Sequence, residues 1–527
     1  MAAWAASLRL EDVPLRVREQ ARNQILSILG ATHAGYASDL GPRVARALGG
    51  VRGTARALPA PKGVRPADAA VLMSAWSMIL DFDDSMLGGH TGHSSVLVPI
   101  AYARGRTGAD VLLAQIAANE LAARVNTAVA LGSARGQMAT HVHLVGAAAA
   151  RGRLEGLDAD DSAQAVAFAL TYPSKALYTG FLGSDAKVLS AAWPVRMGLE
   201  AVDAVKAGLR GNPGVLDEFL KRFADVPVAD FLDGLGERWH TETNSFKVHP
   251  GCAYIDAVID ATLALVRRHD IAADDVASVD VHASVFTLGM DARSAPFVDG
   301  ERSLVSTLSF STPYNVAWAI IDRDLRPEHL TRPRIADERA WALAAKVRLH
   351  HDEALTIEAL TSDAPMGAAL KVAGRGAVRY VAKMIPRGGP RAAARTAASG
   401  ARIAKAVLDA AKGGMPDLSQ ARKAVGARVE IRTTDGRRFS DEVHIAVGAA
   451  GSGDWKASRA LMRDKFCACA ARNVGDAKAR AAAGAIDEIE RLDADELWTM
   501  IEANLSPAGA RATPKRGRQP GGRRAGT

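Results

Sequence analysis

The feature that most constrains this fold is a stretch from Ala67 to Leu80 whose residues are apolar on almost every side of a helix. A helix of that kind is normally buried in a large bundle, so this stretch is predicted to be a central element. Apolar residues at helical spacing also run from Val13 to Gly30, and a Thr107/Asp110 capping pattern opens a helix that reaches Ala130. The first half of the chain is therefore predicted to be helical.

The periodicity changes after about residue 272, where apolar residues alternate as they do in strands. The alternation covers Val276 to Ala283, Lys346 to His350 and Val429 to Arg432, and Asp435-Gly436 is a strong hairpin signal. From about Trp455 to Leu505 the spacing is helical again. The chain is therefore predicted to be mainly α, with a large helical domain formed from both chain ends and an inserted α+β domain. The predicted bounds are 1–268 and 451–505 for the helical domain and 269–450 for the insertion.

Basic residues are concentrated in two segments. Residues 367–428 hold 13 Lys and Arg against 2 Asp, and residues 506–527 hold 6 basic residues and no acid, whereas the whole chain carries +8. The rest of the chain is therefore acidic, and no specific nucleic-acid binding is expected. The Ala/Arg/Gly-rich segment 367–428 is interpreted as solvated and partly disordered, the alternative being an arm for a polyanion or a membrane surface. The tail 506–527 is predicted to be disordered.

The cysteine count and the apolar runs exclude several classes of protein. Cys252, Cys467 and Cys469 are too few and too badly spaced for a disulfide framework, a zinc tetrad or an iron–sulfur cluster. No apolar run is long enough to span a bilayer, and the N-terminus carries acids too early for a signal peptide. A cytoplasmic protein without a membrane span is expected.

The residues richest in chemistry are Asp81-Phe-Asp-Asp-Ser-Met-Leu-Gly-Gly-His-Thr-Gly-His-Ser-Ser95. Three carboxylates follow an apolar helix, where the helix dipole disfavours negative charge and burial raises a carboxyl pKa. Ser94 and Ser95 occupy the expected N-cap of the next apolar run, which would place His93 beside free backbone N–H groups that suit an anion. A carboxylate that orients such an imidazole is an acid/base arrangement. The structural alternative is that these groups only cap helices or pair with local cations.

The aspartates also fit a magnesium–diphosphate site, as in terpene synthases and prenyltransferases. That interpretation requires a second acidic motif and an aromatic-lined pocket. Aromatic residues are only 5% of the chain, and neither the glycines nor His93 would have a role there, so the acid/base interpretation ranks first.

The acidic segment and four others resemble, in the same order and with compatible spacing, the MmgE/PrpD family of 2-methylcitrate dehydratases, cis-aconitate decarboxylases and an iminodisuccinate epimerase. The four others are Gly146-Ala-Ala-Ala-Ala with Gly156-Leu-Asp, Gly183-Ser-Asp-Ala-Lys187, Lys247-Val-His-Pro-Gly-Cys252 and Phe310-Ser-Thr-Pro-Tyr314. The resemblance extends to about residue 360 and resumes near Val429. It implies that the α+β domain is a lid and that the chain is a homodimer.

The resemblance also implies a set of site residues and no cofactor or metal. The implied catalytic residues are Asp81, His93, Lys187, Lys247 and Tyr314. The two lysines would bind carboxylates and stabilise an enediolate-like anion. His93, oriented by Asp81, would move the proton, and Tyr314 would donate to a leaving hydroxyl or a carboxylate oxygen. The implied substrate-binding residues are Ser85, Ser94, Ser95, Thr140 and His141.

Some positions depart from the family pattern. In Gly136-Gln-Met-Ala-Thr140, Met138 stands at the usual histidine position. His141 or His143 could replace that histidine, but on a helix they would face different directions. Cys252 and Asp256 stand where some members have histidine. Because methionine cannot carry a proton, the reaction needs one base fewer, the substrate differs, or activity is lost.

The function implied is a cofactor-independent lyase that dehydrates a small polycarboxylate such as 2-methylcitrate. The separation of twelve residues between Asp81 and His93 favours this branch of the family. One alternative is a decarboxylase or epimerase acting on a related di- or tricarboxylate. An alternative of another class is a catalytically silent binding or scaffold protein that uses the basic segment to meet an anionic partner.

Overall fold

A computed structural model describes residues 1–132, 140–173, 175–374, 376–377, 379–380 and 390–506, so Met138 and the tail from residue 507 lie outside the described residues. The described chain is mainly helical, as predicted. Its α-helices are α1 (Ala2–Ser7), α2 (Leu15–Ala37), α3 (Gly41–Leu48), α4 (Pro66–Met78), α5 (Gly92–Ser95), α6 (Leu97–Ala101), α7 (Gly108–Ala128), α8 (Thr140–Glu155), α9 (Ala159–Thr171), α10 (Tyr178–Gly183), α11 (Leu189–Lys206), α12 (Val215–Phe223), α13 (Asp256–Arg268), α14 (Val285–Ser294), α15 (Val305–Leu308), α16 (Thr312–Ile321), α17 (Arg332–Ile335), α18 (Glu338–Ala344), α19 (Glu353–Thr361), α20 (Pro365–Ala373), α21 (Pro390–Ala411), α22 (Trp455–Val474), α23 (Asp476–Asp487) and α24 (Ala494–Asn504).

Helix α4 lies at the centre of the helical core, as its all-round apolar sequence predicts. Every residue from Asp68 to Met78 is buried, and helices α2 and α11 pack against it. Helix α22 from the C-terminal part of the chain packs along α2, where the Asn23 side-chain amide donates to the carbonyl oxygen of Trp455 at 3.1 Å. The two ends of the chain therefore share one core. In the described residues, no helix is both long and apolar enough to cross a bilayer.

The contact between α2 and α4 depends on a glycine. A Cβ added at Gly35 would lie 1.8 Å from the carbonyl oxygen of Trp76. We expect Gly35→Ala to lower the free energy of unfolding by about 1–3 kcal/mol, because the helices must separate to admit the methyl group. Gly484→Ala in α23 is the matched control: its added Cβ meets no atom within 4 Å, and removing a helical glycine should stabilise by about 0.5–1 kcal/mol. Urea unfolding measures both changes, and equal effects would contradict the packing argument.

The strands in the described residues are β1 (Arg52–Arg56), β2 (Gly63–Val64), β3 (Asp84–Ser85), β4 (Ser245–Phe246), β5 (Val276–Ala283), β6 (Val347–His351), β7 (Ala427–Thr433) and β8 (Arg438–Val443). The alternating segments lie in a four-stranded sheet with the strand order β6-β5-β7-β8. Strand β5 pairs parallel with β6 and antiparallel with β7, and β7 and β8 form the hairpin predicted at Asp435-Gly436. The division of the chain into a helical domain and a lid stays a prediction.

Two short pairings outside this sheet organise the rest of the fold, β1 with β2 and β3 with β4. The second pairs Asp84 with Phe246 and Ser85 with Ser245, so it brings the acidic segment beside Lys247. Within the basic segment, Pro390–Ala411 forms the helix α21, and the interpretation of the segment as solvated and partly disordered stays a prediction. Alanine favours helix, and the apolar Val407 is buried at 1% exposure.

Candidate active site

Two lysines neutralise the end of α4, where the acidic segment begins. Lys187 Nζ donates to the carbonyl oxygen of Met78 at 3.0 Å and lies 2.8 Å from Asp81 Oδ1. Lys247 Nζ donates to the carbonyl oxygen of Asp81 at 2.7 Å and to its Oδ2 at 3.0 Å. Because the C-terminal end of a helix carries partial negative charge, these ammonium groups offset both the helix dipole and the Asp81 carboxylate.

Lys247 also contacts a second carboxylate, Asp83, which holds two imidazoles. Lys247 Nζ donates to Asp83 Oδ1 at 2.9 Å. The other oxygen, Oδ2, lies 2.6 Å from His90 Nδ1 and 3.0 Å from His93 Nε2. The prediction that Asp81 orients His93 is therefore wrong: Lys187 and Lys247 occupy the oxygens of Asp81, and Asp83 orients the imidazoles.

Burial and ion pairing shift the pKa values of these groups in opposite directions. Burial alone would raise the pKa of Asp81, but the charges of Lys187 and Lys247 outweigh it and lower that pKa. Burial is also outweighed at Asp83, where Lys247 and His90 hold the pKa well below its usual value. Burial would lower the pKa of Lys247, yet the two carboxylates raise it. Both carboxylates and Lys247 are therefore charged at neutral pH.

A cavity of ≈ 160 Å³ lies beside this network. Its wall is formed by Met78, Asp81, Ser85, Met86, Gly89, His90, Thr140, His143, Tyr178, Phe181, Ser190, Cys252, Ala253, Tyr254, Met290, Phe310 and Lys423. The His90 side chain is 26% exposed, whereas that of His93 is fully buried at 0%. His90, and not the predicted His93, is thus the Asp83-bound imidazole that faces the cavity.

His93 instead belongs to a layer behind the cavity. Its Nδ1 lies 2.7 Å from the Ser77 hydroxyl on α4, and its ring meets that of His143 edge-on at 5.3 Å between centroids. His143 lies on the cavity wall, and burial holds its pKa well below its usual value, so its ring is neutral. His141 points elsewhere, with its ring against Phe219. The expectation that His141 and His143 face different directions is confirmed.

Three further groups on the wall have pKa values raised by burial. Burial raises the pKa of Tyr178 and of Tyr254, so both hydroxyls remain protonated and available as donors. Burial also raises the pKa of Cys252 to about 12. Its thiol is therefore neutral at physiological pH, which disfavours a role as a nucleophile.

The structure brings together only part of the predicted site. Asp81, Ser85 and Thr140 lie on the cavity wall, and Lys187 and Lys247 lie directly behind Asp81. Tyr314 is not on the wall. Its buried hydroxyl donates to the carbonyl oxygen of His329 at 2.6 Å, and its ring packs on Trp341, so the phenol is used within the core.

The predicted N-cap at Ser94 and Ser95 is also wrong. Thr91 is the N-cap of α5, and the backbone N–H groups of Ser94 and Ser95 donate to its carbonyl oxygen at 3.0 and 2.9 Å. Both serine side chains are fully buried and pack against α8, where a Cβ at Gly146 would lie 2.4 Å from Ser94 Oγ. They therefore hold α5 against α8 and do not reach the cavity.

Sequence reasoning missed two lysines beside the site. Lys465 on α22 donates to the carbonyl oxygens of Phe82 and Lys247 at 2.6 and 3.0 Å, and burial lowers its pKa to about 8. Its position on the same helix face as Met462 and Cys469 is a signal that could have identified it as buried. Lys423 was included in the basic segment read as solvated, and only the tertiary structure places it on the cavity wall.

The fold and the site define a mainly helical protein with a buried Asp–Lys–His network beside a small cavity. Residues 1–230 match the MmgE/PrpD N-terminal domain and residues 249–394 match the MmgE/PrpD C-terminal domain. The chain belongs to the MmgE/PrpD family, which confirms the resemblance drawn from its motifs.

Curated relatives of the chain come from the fungus Aspergillus terreus. A cis-aconitate decarboxylase of strain NIH 2624 / FGSC A1156 is 25% identical over 385 residues, which cover 66% of this chain and 77% of that protein. A second cis-aconitate decarboxylase of the same species is 24% identical over 387 residues, with the same coverage.

Proposed function

We propose that this protein is a cofactor-independent lyase that removes water from a small polycarboxylate of the 2-methylcitrate type. The observation that carries the proposal is the position of His90, which lies on the cavity wall with Nδ1 held 2.6 Å from a charged Asp83. A carboxylate in this position fixes the ring and stabilises the imidazolium that forms when the other ring nitrogen accepts a proton. Family membership and the decarboxylase relatives support a lyase acting on a polycarboxylate.

In the proposed reaction, His90 takes a proton from a carbon adjacent to a substrate carboxylate. The electron pair of the broken C–H bond forms the carbon–carbon double bond, and the C–O bond to the neighbouring hydroxyl breaks. The hydroxyl leaves as water and takes a proton from a donor on the cavity wall. That donor is Tyr254 or Tyr178. Lys187 and Lys247 act as positioning residues, because their ammonium groups hold Asp81 and Asp83 in place.

Decarboxylation is the second candidate, and the similarity to two cis-aconitate decarboxylases favours it. On the same wall, loss of CO₂ from the substrate would leave the electron pair on carbon, and a protonated His90 would return a proton to it. The two reactions differ in product but use the same cavity.

The experiment is a panel of substrates followed by NMR with purified protein. We expect turnover of at least one compound among 2-methylcitrate, citrate, cis-aconitate and iminodisuccinate. Formation of an unsaturated tricarboxylate supports dehydration, and formation of itaconate with CO₂ supports decarboxylation. Absence of turnover for every compound at micromolar enzyme would contradict a lyase and favour the silent binding protein.

A further inference from the structure

The charged groups of the Asp81–Asp83 network are paired with one another, whereas Lys423 lies on the cavity wall outside these pairs. Asp81 and Asp83 each contribute a negative charge, and Lys187 and Lys247 are ion-paired with them. Because those two lysines are paired with buried carboxylates, their charges contribute little to the binding of a further anion. A cavity that takes a polycarboxylate needs a cation in addition to this balanced cluster.

Lys423 is placed to supply that cation. It lies just before β7 and reaches to the strand β3, where its Nζ donates to Ser85 Oγ at 3.0 Å. Its backbone N–H donates to the carbonyl oxygen of Ala450 at 2.9 Å, which fixes the segment that carries it. Among the described residues, its Nζ forms no ion pair with a carboxylate. Its other two donor positions are therefore available to a ligand.

A second, smaller cavity adjoins the first and shares Ser85, Ala253 and Lys423 with it. Asp256 and Lys247 also lie on the wall of this cavity. Burial raises the pKa of Asp256 to about 7, so this carboxyl is only partly ionised at neutral pH. Asp256 therefore compensates the charge of Lys423 only in part.

We propose that Lys423, with the Ser85 hydroxyl beside it, binds a carboxylate of the substrate that does not take part in bond breaking, and so selects for polycarboxylates. The proposal rests on the proposed function. It deepens that function by naming the residue that recognises the second or third carboxylate. The remaining part of the substrate would extend from Lys423 towards His90 across the same cavity. Lys423 lies after residues 249–394, the span that matches the family's C-terminal domain.

The test compares Lys423→Met with Lys423→Arg, and Lys405→Met is the matched control because that lysine is 80% exposed on α21. Isothermal titration calorimetry with tricarballylate, which has no hydroxyl to eliminate, measures binding without turnover. We expect Lys423→Met to weaken binding by about 10- to 100-fold, Lys423→Arg to retain most of it, and Lys405→Met to leave it unchanged. With a turned-over substrate, KM should rise in Lys423→Met while kcat changes little.

The outcomes separate the two proposals. If the wild-type protein neither binds tricarballylate nor turns over a carboxylate, the proposed function and this inference both fail. If the wild-type protein binds and turns over a polycarboxylate but Lys423→Met has the same affinity and KM, only the role of Lys423 is overturned. Circular dichroism and thermal melting check that both Lys423 variants fold. If Lys423→Met does not fold, Lys423→Arg remains as the variant that preserves the charge.

Discussion

Lys247→Met is expected to lower the free energy of unfolding by about 3–5 kcal/mol, because it leaves buried charge without a partner. The ammonium group of Lys247 contacts oxygens of both Asp81 and Asp83, and its side chain is 2% exposed. Among the described residues, removing it would leave only Lys187 in direct contact with this pair, and that lysine contacts Asp81 alone. Urea unfolding followed by circular dichroism measures the change.

Two variants make this prediction specific. Lys405→Met removes a solvent-exposed lysine and should change the free energy of unfolding by less than about 1 kcal/mol. In the double variant Lys247→Met/Asp83→Asn, one of the unpaired carboxylates is gone, so the loss should be smaller than in Lys247→Met alone. A Lys247→Met protein as stable as the wild type would show that the ion pairs do not form as the structure describes.

His90→Gln is expected to reduce kcat by about 10²- to 10⁴-fold, because it removes the imidazole that we propose to transfer the proton on the cavity wall. Glutamine retains a hydrogen-bonding side chain beside Asp83 but cannot be protonated at neutral pH. His90 is partly exposed, so its replacement should cost little stability. Steady-state kinetics with the substrate found in the NMR panel, together with thermal melting, separates a loss of chemistry from a loss of folding.

The control for this prediction is the other imidazole of the pair. His93→Gln should lower stability, because the ring is fully buried between Asp83 and Ser77. Any loss of kcat should accompany that loss of stability. His269→Gln on the surface should change neither property. If His90→Gln keeps full kcat and a well-folded His93→Gln loses it, proton transfer is to be assigned to His93.

The patterns in the sequence were sufficient to predict a mainly helical chain and its family. The all-round apolar stretch at Ala67 to Leu80 required a buried helix, and the change to alternation at Val276 located the sheet. Five motifs in order gave the family, because their order and spacing carry more information than any single motif. The same information located the acidic segment and its lysines but did not say which oxygen contacts which nitrogen.

The wrong predictions concern side chains whose role depends on the direction in which they point. His90 and His93 lie in one short segment and both contact Asp83, yet one faces the cavity and the other is buried against α4. Tyr314 matches its motif, but its hydroxyl donates a hydrogen bond to the carbonyl oxygen of His329. Composition alone suggested a solvated segment around Lys423, since charge counts carry no information about which lysine folds back onto a cavity.

The sequence by itself determined that this chain is mainly helical with α4 buried, that strands form near Val276, Val347 and Val429, and that it belongs to the MmgE/PrpD family. Only the tertiary structure decided which carboxylate contacts which imidazole and which lysine lies on the cavity wall. The physical reason is that the polar contacts of these side chains form across space: Lys247 reaches Asp81 over 166 residues of sequence, and Lys423 reaches Ser85 over 338. Local periodicity reports the environment of each residue's own helix or strand, whereas such pairings depend on how those elements pack together.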